Sequence, residues 1–265
     1  MKIYDCFPFF NELDLLEIRF NTLYNTVDYF VVSESTHTFT GKEKKLNFLD
    51  NQNRFQKFKN KIIYSVVNDS PANISTAHRE IFQKNSIIKA LSHCNNNDVI
   101  LISDVDEIPN PLKIQSAIKN IENYDLQVFK QNFYYYYLNN LIEEDYYGTK
   151  KWNGTRICSL DIFKKLNVNN IRNSNNLGLK IFEIYDGGWH FSFLGGKEKI
   201  IEKLDAYAHQ EYNIPEIRNN LEKNMDCFTH DLFFRKMKAK TVDIDQSYPE
   251  YLIKNIEKYN HLLRK

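Results

Sequence analysis

Asp104 and Asp106, two carboxylates one residue apart after the apolar run Val99-Ile100-Leu101-Ile102, are the side chains of this 265-residue sequence best suited to hold a cation. In an extended segment residues i and i+2 project to one side, so both carboxylates converge while Val105 turns back into protein. Hard divalent ions, Mn²⁺ or Mg²⁺, take oxygen ligands and leave further positions to substrate phosphates and water. The chemistry expected is the metal-assisted handling of a nucleotide diphosphate. An Asp-x-Asp triplet also occurs in solvated loops, but Glu107-Ile108-Pro109, which follows, is a poor composition for one.

A second candidate segment runs from Asp186 to Lys197 and holds Gly187, Gly188, Gly195 and Gly196, half of the 8 glycines in the chain. Glycine permits close backbone approach, which a ligand site uses. His190, between Trp189 and Phe191, reads either as a hydrogen-bonded core residue or as a ligand for Mn²⁺. Lys197, beside exposed backbone N–H groups, can hold a diphosphate. For general-base work the candidates are Asp186, Glu211 and Asp231, with Asp186 preferred because it adjoins the glycine-flanked segment.

Further donor-binding candidates are Glu34, at the end of a strand, and Arg79, Gln83 and Asn85, on the early turns of a helix. Exposed helix polarity is the alternative for those three. Lys42 or Lys45 could meet a phosphate if their polar loop folds over the strand ends. Phe133 to Tyr137 put aromatic rings on both faces of a strand, one of which could stack on a sugar.

The elements that must position these residues follow from periodicity. Strands are predicted over 3–7, 29–33, 62–67 and 99–102, the last covered on both faces and stopped by Pro109. Strands over 126–138 and 152–163 and an Asn-rich loop over 167–176 come later. Helices are predicted after Asn11, from Ser75 as cap to Ser92, from Pro111 to Ile121, from Lys197 to Tyr207, from Pro215 and over 249–263. Strands alternating with helices define an α/β fold with a mostly parallel central sheet, where ligands bind at the C-terminal strand edge. No linker divides it: one domain is expected, with residues 1–110 as the nucleotide-binding half and 111–265 as the acceptor-binding half.

Lysine and arginine number 35 against 34 acidic residues, a net charge of +1, so no general attraction to nucleic acid or an anionic membrane is expected. The four cysteines (Cys6, Cys94, Cys158, Cys227) lack the close spacing of zinc or dithiol sites. The first 20 residues carry four acids and no long apolar run, so neither a signal peptide nor a transmembrane segment is expected. The protein should be soluble and cytoplasmic, at most peripheral at a membrane face.

Four blocks carry a resemblance over nearly the whole chain, in order: Tyr4-Asp5-Cys6-Phe7-Pro8-Phe9-Phe10-Asn11-Glu12-Leu13, Val31 to Phe39 (Val-Val-Ser-Glu-Ser-Thr-His-Thr-Phe), Ser103 to Pro109, and Gly188-Trp189-His190-Phe191-Ser192. Together they resemble glycosyltransferase family 17, which includes the β-1,4-mannosyl-glycoprotein 4-β-N-acetylglucosaminyltransferases. The resemblance implies a GT-A type nucleotide-sugar-binding fold, a UDP-sugar donor (UDP-GlcNAc in the characterised branch), a divalent metal and inversion at the anomeric carbon. It carries over Asp104 and Asp106 as the metal and diphosphate motif, and by analogy it suggests His190 as a metal or phosphate ligand. The acceptor expected is an oligosaccharide or glycoconjugate. A nucleotidyltransferase on the same fold and a non-catalytic glycan-binding protein are the competing functions.

Overall fold

Residues 1–173, 178–222 and 228–265 are described by the computed structural model. The first half alternates strand and helix: β1 (Ile3–Phe9), α1 (Leu13–Leu23), β2 (Tyr29–Ser35), α2 (Asn47–Asp50), β3 (Ile62–Val67), α3 (Thr76–Ala90) and β4 (Val99–Ile102). These four strands lie in parallel order β3-β2-β1-β4. Val99 and Leu101 pack into the core with Phe7, Phe20 and Phe30, while Ile100 and Ile102 pack into another with Cys6, Ile87 and Phe163. Both faces of β4 are therefore buried, which is why its sequence is apolar without alternation. Ser75 caps α3 as expected, its hydroxyl accepting from the His78 N–H at 3.2 Å.

The second half adds β5 (Glu107–Pro109), α4 (Pro111–Lys119), β6 (Leu126–Tyr135), β7 (Asn140–Glu144), β8 (Trp152–Ser159), α5 (Leu160–Arg172), β9 (Ile181–Ile184), β10 (Gly188–Ser192), α6 (Gly196–Ala206), α7 (Pro215–Glu222), β11 (Lys238–Thr241) and α8 (Glu250–Lys254). The sheet continues from β4 through antiparallel β8, then β6, β7 and β11, so it is mixed overall. β6 spans a corner: Leu126–Phe129 pair with β9, and Asn132–Tyr135 pair with β10. β10 in turn pairs antiparallel with β5, setting His190 opposite Glu107. The architecture is an α/β fold, a mixed central sheet flanked by helices.

Several boundaries differ from the periodicity reading: the strand expected over 126–138 stops at Tyr135, and of the strand expected over 152–163 residues 160–163 instead open α5, with Ser159 as its cap. Pro109 ends β5 and not β4, because the chain turns after Ile102. Asn167 (φ 58°, ψ 167°) breaks the helical path of α5, and residues 168–172, expected as loop, resume it beyond the kink: Asn167 Oδ1 accepts from the Asn170 N–H at 3.1 Å, and Val168 and Ile171 are buried in the core. Cys6, Cys94 and Cys158 are free thiols, and Cys227 lies outside the described residues. Among the described residues no helix is long and apolar enough to cross a membrane.

Candidate active site

The acidic turn owes its shape to a buried arginine. Glu107 N–H donates to the Asp104 carbonyl at 3.0 Å, closing the turn. Arg19, on α1, sends Nη1 to the carbonyl oxygens of Asp104 (3.1 Å), Val105 (3.2 Å) and Glu107 (2.8 Å) and Nη2 to the Ser103 hydroxyl (2.7 Å). Three carbonyls converging on one cationic fork fix the turn that joins β4 to β5. Asp104 and Asp106 thus share a cleft by a turn and not by the i, i+2 geometry of an extended strand, while Val105 is buried as expected.

That cleft encloses about 740 Å³. Asp104 Oδ1 lies 3.0 Å from Lys84 Nζ, and Oδ2 lies 3.0 Å from Arg172 Nη2. Asp106 faces Lys203 Nζ at 3.5 Å and His190 Nε2 at 3.6 Å. Burial opposes the charged form of each aspartate, but these cations outweigh it and hold both carboxyls below the usual carboxylate range. Lys84 and Lys203 are shifted the other way: burial works against their charge, and the carboxylates facing them raise both above the ordinary lysine value.

Glu107 ties the assembly together from behind. It is fully buried, binds Arg172 through both carboxylate oxygens, accepts from Trp152 Nε1 at 2.7 Å and from the Asp104 N–H at 3.1 Å. His190 is clamped between Phe133 (ring centroids 4.9 Å apart, 9° between planes) and Trp152 (4.5 Å). Its Nδ1 is buried with no hydrogen-bond partner among the described residues. The Phe191 N–H donates to the Asp106 carbonyl at 2.9 Å, so β10 itself presses the histidine against the acidic turn.

Of the residues singled out from sequence, Asp104, Asp106, His190 and Gln83 line the cleft. Gln83 also donates to the Ser33 carbonyl at 3.2 Å. The others do not line it. Glu34 is fully buried and committed to Lys44, Tyr64 and the backbone N–H groups of Asn47 and Phe48. Arg79 braces the carbonyls of Phe39, Pro71, Ala72 and Ile74, and Asn85 accepts from the Val168 N–H, joining α3 to α5. In place of Lys42 or Lys45, Lys44 reaches the cleft.

Asp186 sits exposed in the turn before β10, at the far end of that strand from Ser192, and its carbonyl accepts from Asn110 Nδ2 at 3.1 Å. The glycines beside it serve strand packing: a Cβ on Gly188 would stand 2.2 Å from the Ile108 carbonyl oxygen, and its φ is +121°. Lys197 opens α6 outside the cleft lining, and the lysine that enters the cleft is Lys203 of the same helix. Glu211 does not line the cleft, but its Oε1 binds Nδ1 of His209, which does, at 2.8 Å. Asp231 is buried and bound to Arg235, with Oδ2 2.6 Å from Nε. Tyr134, Tyr135 and Tyr136 are buried in the core, and Phe133 and Tyr137 are half-buried against it.

Sequence reasoning missed Lys84, Arg172, Lys203 and Arg19. Arg19 carried a signal: it interrupts the apolar stripe of α1 between Ile18 and Phe20, and a charge on a buried stripe needs an acid nearby, which the apolar β1 supplies in Asp5.

The donor set accommodates a divalent ion with limits. Asp106 Oδ1 and His190 Nε2 are 3.6 Å apart, a span that one ion bridges with bonds of roughly 2.0–2.1 Å. No group of three or more metal-ligating side chains occurs among the described residues, so substrate oxygens and water would complete the shell.

The fold is of the α/β class, with an acidic cleft at the edge of its parallel strands. The family model Glycosyltransferase family 17 matches residues 1–264, and the chain belongs to that family. Over 107 residues it is 31% identical to the Homo sapiens β-1,4-mannosyl-glycoprotein 4-β-N-acetylglucosaminyltransferase, which amounts to 37% of this chain and 20% of the relative. The Rattus norvegicus protein of the same name matches equally, at 31% over 107 residues, with 37% and 20% covered. The chain thus spans about one fifth of the length of the curated relatives it matches. Among solved structures, S. aureus TarS 1-349 in complex with UDP-GlcNAc aligns over 84% of this chain and 72% of its own, with TM-score 0.45 and 14% identity. A 4-diphosphocytidyl-2C-methyl-D-erythritol synthase aligns over 69% and 88%, with TM-score 0.44 and 11% identity.

Proposed function

We propose that this protein is a metal-dependent, inverting glycosyltransferase that moves N-acetylglucosamine from UDP-N-acetylglucosamine to a hydroxyl of a glycan acceptor. The observation that carries the reading is the acidic turn: two aspartates on one Arg19-braced loop, set in a cleft with Lys84 and Lys203, in a chain that family 17 matches over nearly its whole length. Asp106 and His190 would hold the ion, with Asp104 acting through water or through Lys84. When bound, the ion supplies charge neutralisation at the leaving diphosphate.

The chain's own residues do the rest. Lys84 and Lys203 stabilise charge developing on the diphosphate oxygens in a site where burial strengthens their field. His209, oriented through Nδ1 by Glu211, takes the acceptor hydroxyl's proton at Nε2. The new C–O bond forms on one face of the anomeric carbon as the bond to UDP breaks on the other, with the electron pair leaving on the β-phosphate. A cytoplasmic enzyme of this kind would draw on the cell's nucleotide-sugar pool.

The test is a screen of nucleotide sugars for Mn²⁺-dependent UDP release, with and without saccharide acceptors, in wild type and Asp106→Ala. UDP-N-acetylglucosamine turnover that collapses in the variant is expected. Turnover surviving at the wild-type rate sinks the assignment of the site, and pyrophosphate release from a nucleoside triphosphate would instead make the protein a nucleotidyltransferase.

A further inference from the structure

Tyr147 is 75% exposed and Tyr146 38% exposed, yet the turn that carries them is tightly wired. Asp145 Oδ1 accepts the N–H of Tyr147 (2.9 Å) and of Thr149 (2.8 Å), Oδ2 accepts the Thr149 hydroxyl (2.7 Å), and the Asp145 N–H donates to the Thr149 carbonyl (2.9 Å). The two rings lie against each other, centroids 3.9 Å apart, and an exposed aromatic on a backbone already ordered costs less to cover than one on an unordered loop. Both rings line the same cleft as Asp104 and Asp106.

The surroundings suit one ligand chemistry. Arg235 Cζ lies 3.6 Å from the centroid of the Tyr146 ring, backing it, and Asp231 holds that guanidinium in place. Tyr212 stacks on Phe233 at 4.2 Å and extends the aromatic wall. Tyr207, also in the cleft wall, has a buried hydroxyl with no hydrogen-bond partner among the described residues. Ring faces for an apolar C–H surface, with hydroxyl, imidazole and guanidinium donors at the edges, match a pyranose.

A nucleobase also stacks on aromatics, but the parallel strands decide between the two. Nucleotides bind where such strands end, which here is the wall of Pro8 to Phe10, Thr38, Phe39 and Gln83. We propose that Tyr146 and Tyr147 form the acceptor platform, seating a pyranose ring of a saccharide acceptor, with the Tyr207 hydroxyl bonding one of its hydroxyls. This rests on the transferase reading.

The experiment is saturation-transfer NMR on the full chain with cellobiose, maltose and N,N′-diacetylchitobiose, each with and without UDP and Mn²⁺, beside a UDP titration. At least one saccharide should bind; Tyr147→Ala should weaken it about tenfold, Tyr147→Phe should leave it unchanged, and UDP affinity should hold in both. Unchanged saccharide affinity in Tyr147→Ala, a parallel loss of UDP affinity, or no saccharide binding to a UDP-loaded wild type would each overturn the platform. UDP failing to bind while a saccharide still binds through Tyr147 would overturn the transferase reading and leave the platform standing.

Discussion

Arg19 and Asp5 form an ion pair with no solvent exposure on either side chain, Nη2 to Oδ1 at 2.6 Å and Nε to Oδ2 at 2.8 Å. The pair spends the guanidinium's remaining donors on the turn that carries Asp104 and Asp106, so one contact between β1 and α1 sets the geometry of residues some 85 positions away.

Arg19→Met alone should destabilise the protein by about 3–5 kcal/mol, because Asp5 is left charged and unpaired in the core. Arg19→Met with Asp5→Leu should recover most of that stability in urea unfolding, since an apolar pair of similar volume replaces a buried ion pair at little cost. Turnover should stay low in the double variant, whose acidic turn has lost its donors. Wild-type turnover there would reduce Arg19 to a core residue.

Stability should depend on pH through Asp104. Burial opposes its charge, but Lys84 and Arg172 hold its folded-state pKa below the unfolded value, so its contribution is present above about pH 4 and is lost as the pH falls through the folded value. Lys84→Met removes one of those partners and moves the carboxyl back up. Thermal unfolding between about pH 2 and about pH 7 should show the variant's acid decline beginning at higher pH than the wild type's. Superimposable acid declines would mean that Lys84 does not govern the carboxyl.

How much of this was legible beforehand depended on how local each signal was. β4 and its two buried faces, the Ser75 cap and the 62–67 strand were readable because period and capping are written within a few residues. The acidic turn was found by its type, and His190 by its neighbours. Lys84, Arg172 and Lys203 were not, because a lysine on a helix reads as solvated until the fold sets it against a carboxylate tens of residues distant, as Arg172 is from Asp104. Asp186 and Lys197 were favoured for lying beside glycines, but Gly188 is required by the close approach of β10 to β5, a packing demand that one sequence cannot distinguish from a ligand's.

Chelation with EDTA should abolish UDP release, and Mn²⁺ or Mg²⁺ should restore it. Turnover that is indifferent to EDTA but lost in Lys203→Met would assign the diphosphate to the lysines alone.

His209→Ala should lower kcat by about 10²-fold or more while leaving UDP affinity within about twofold, as removal of a general base does. Glu211→Gln should cost less, about tenfold, because the imidazole remains and only its orientation is loosened. Unchanged kcat in His209→Ala would send the search for the base to Glu12, another carboxylate in the cleft lining.

Calorimetric titration of UDP, with and without Mn²⁺, into wild type and Asp106→Ala tests the central claim most directly. The account predicts one site per chain in the wild type, strengthened by Mn²⁺, and at least a tenfold loss in the variant, about 1.4 kcal/mol or more. Equal UDP affinity in the two proteins, or no binding to either, would contradict it.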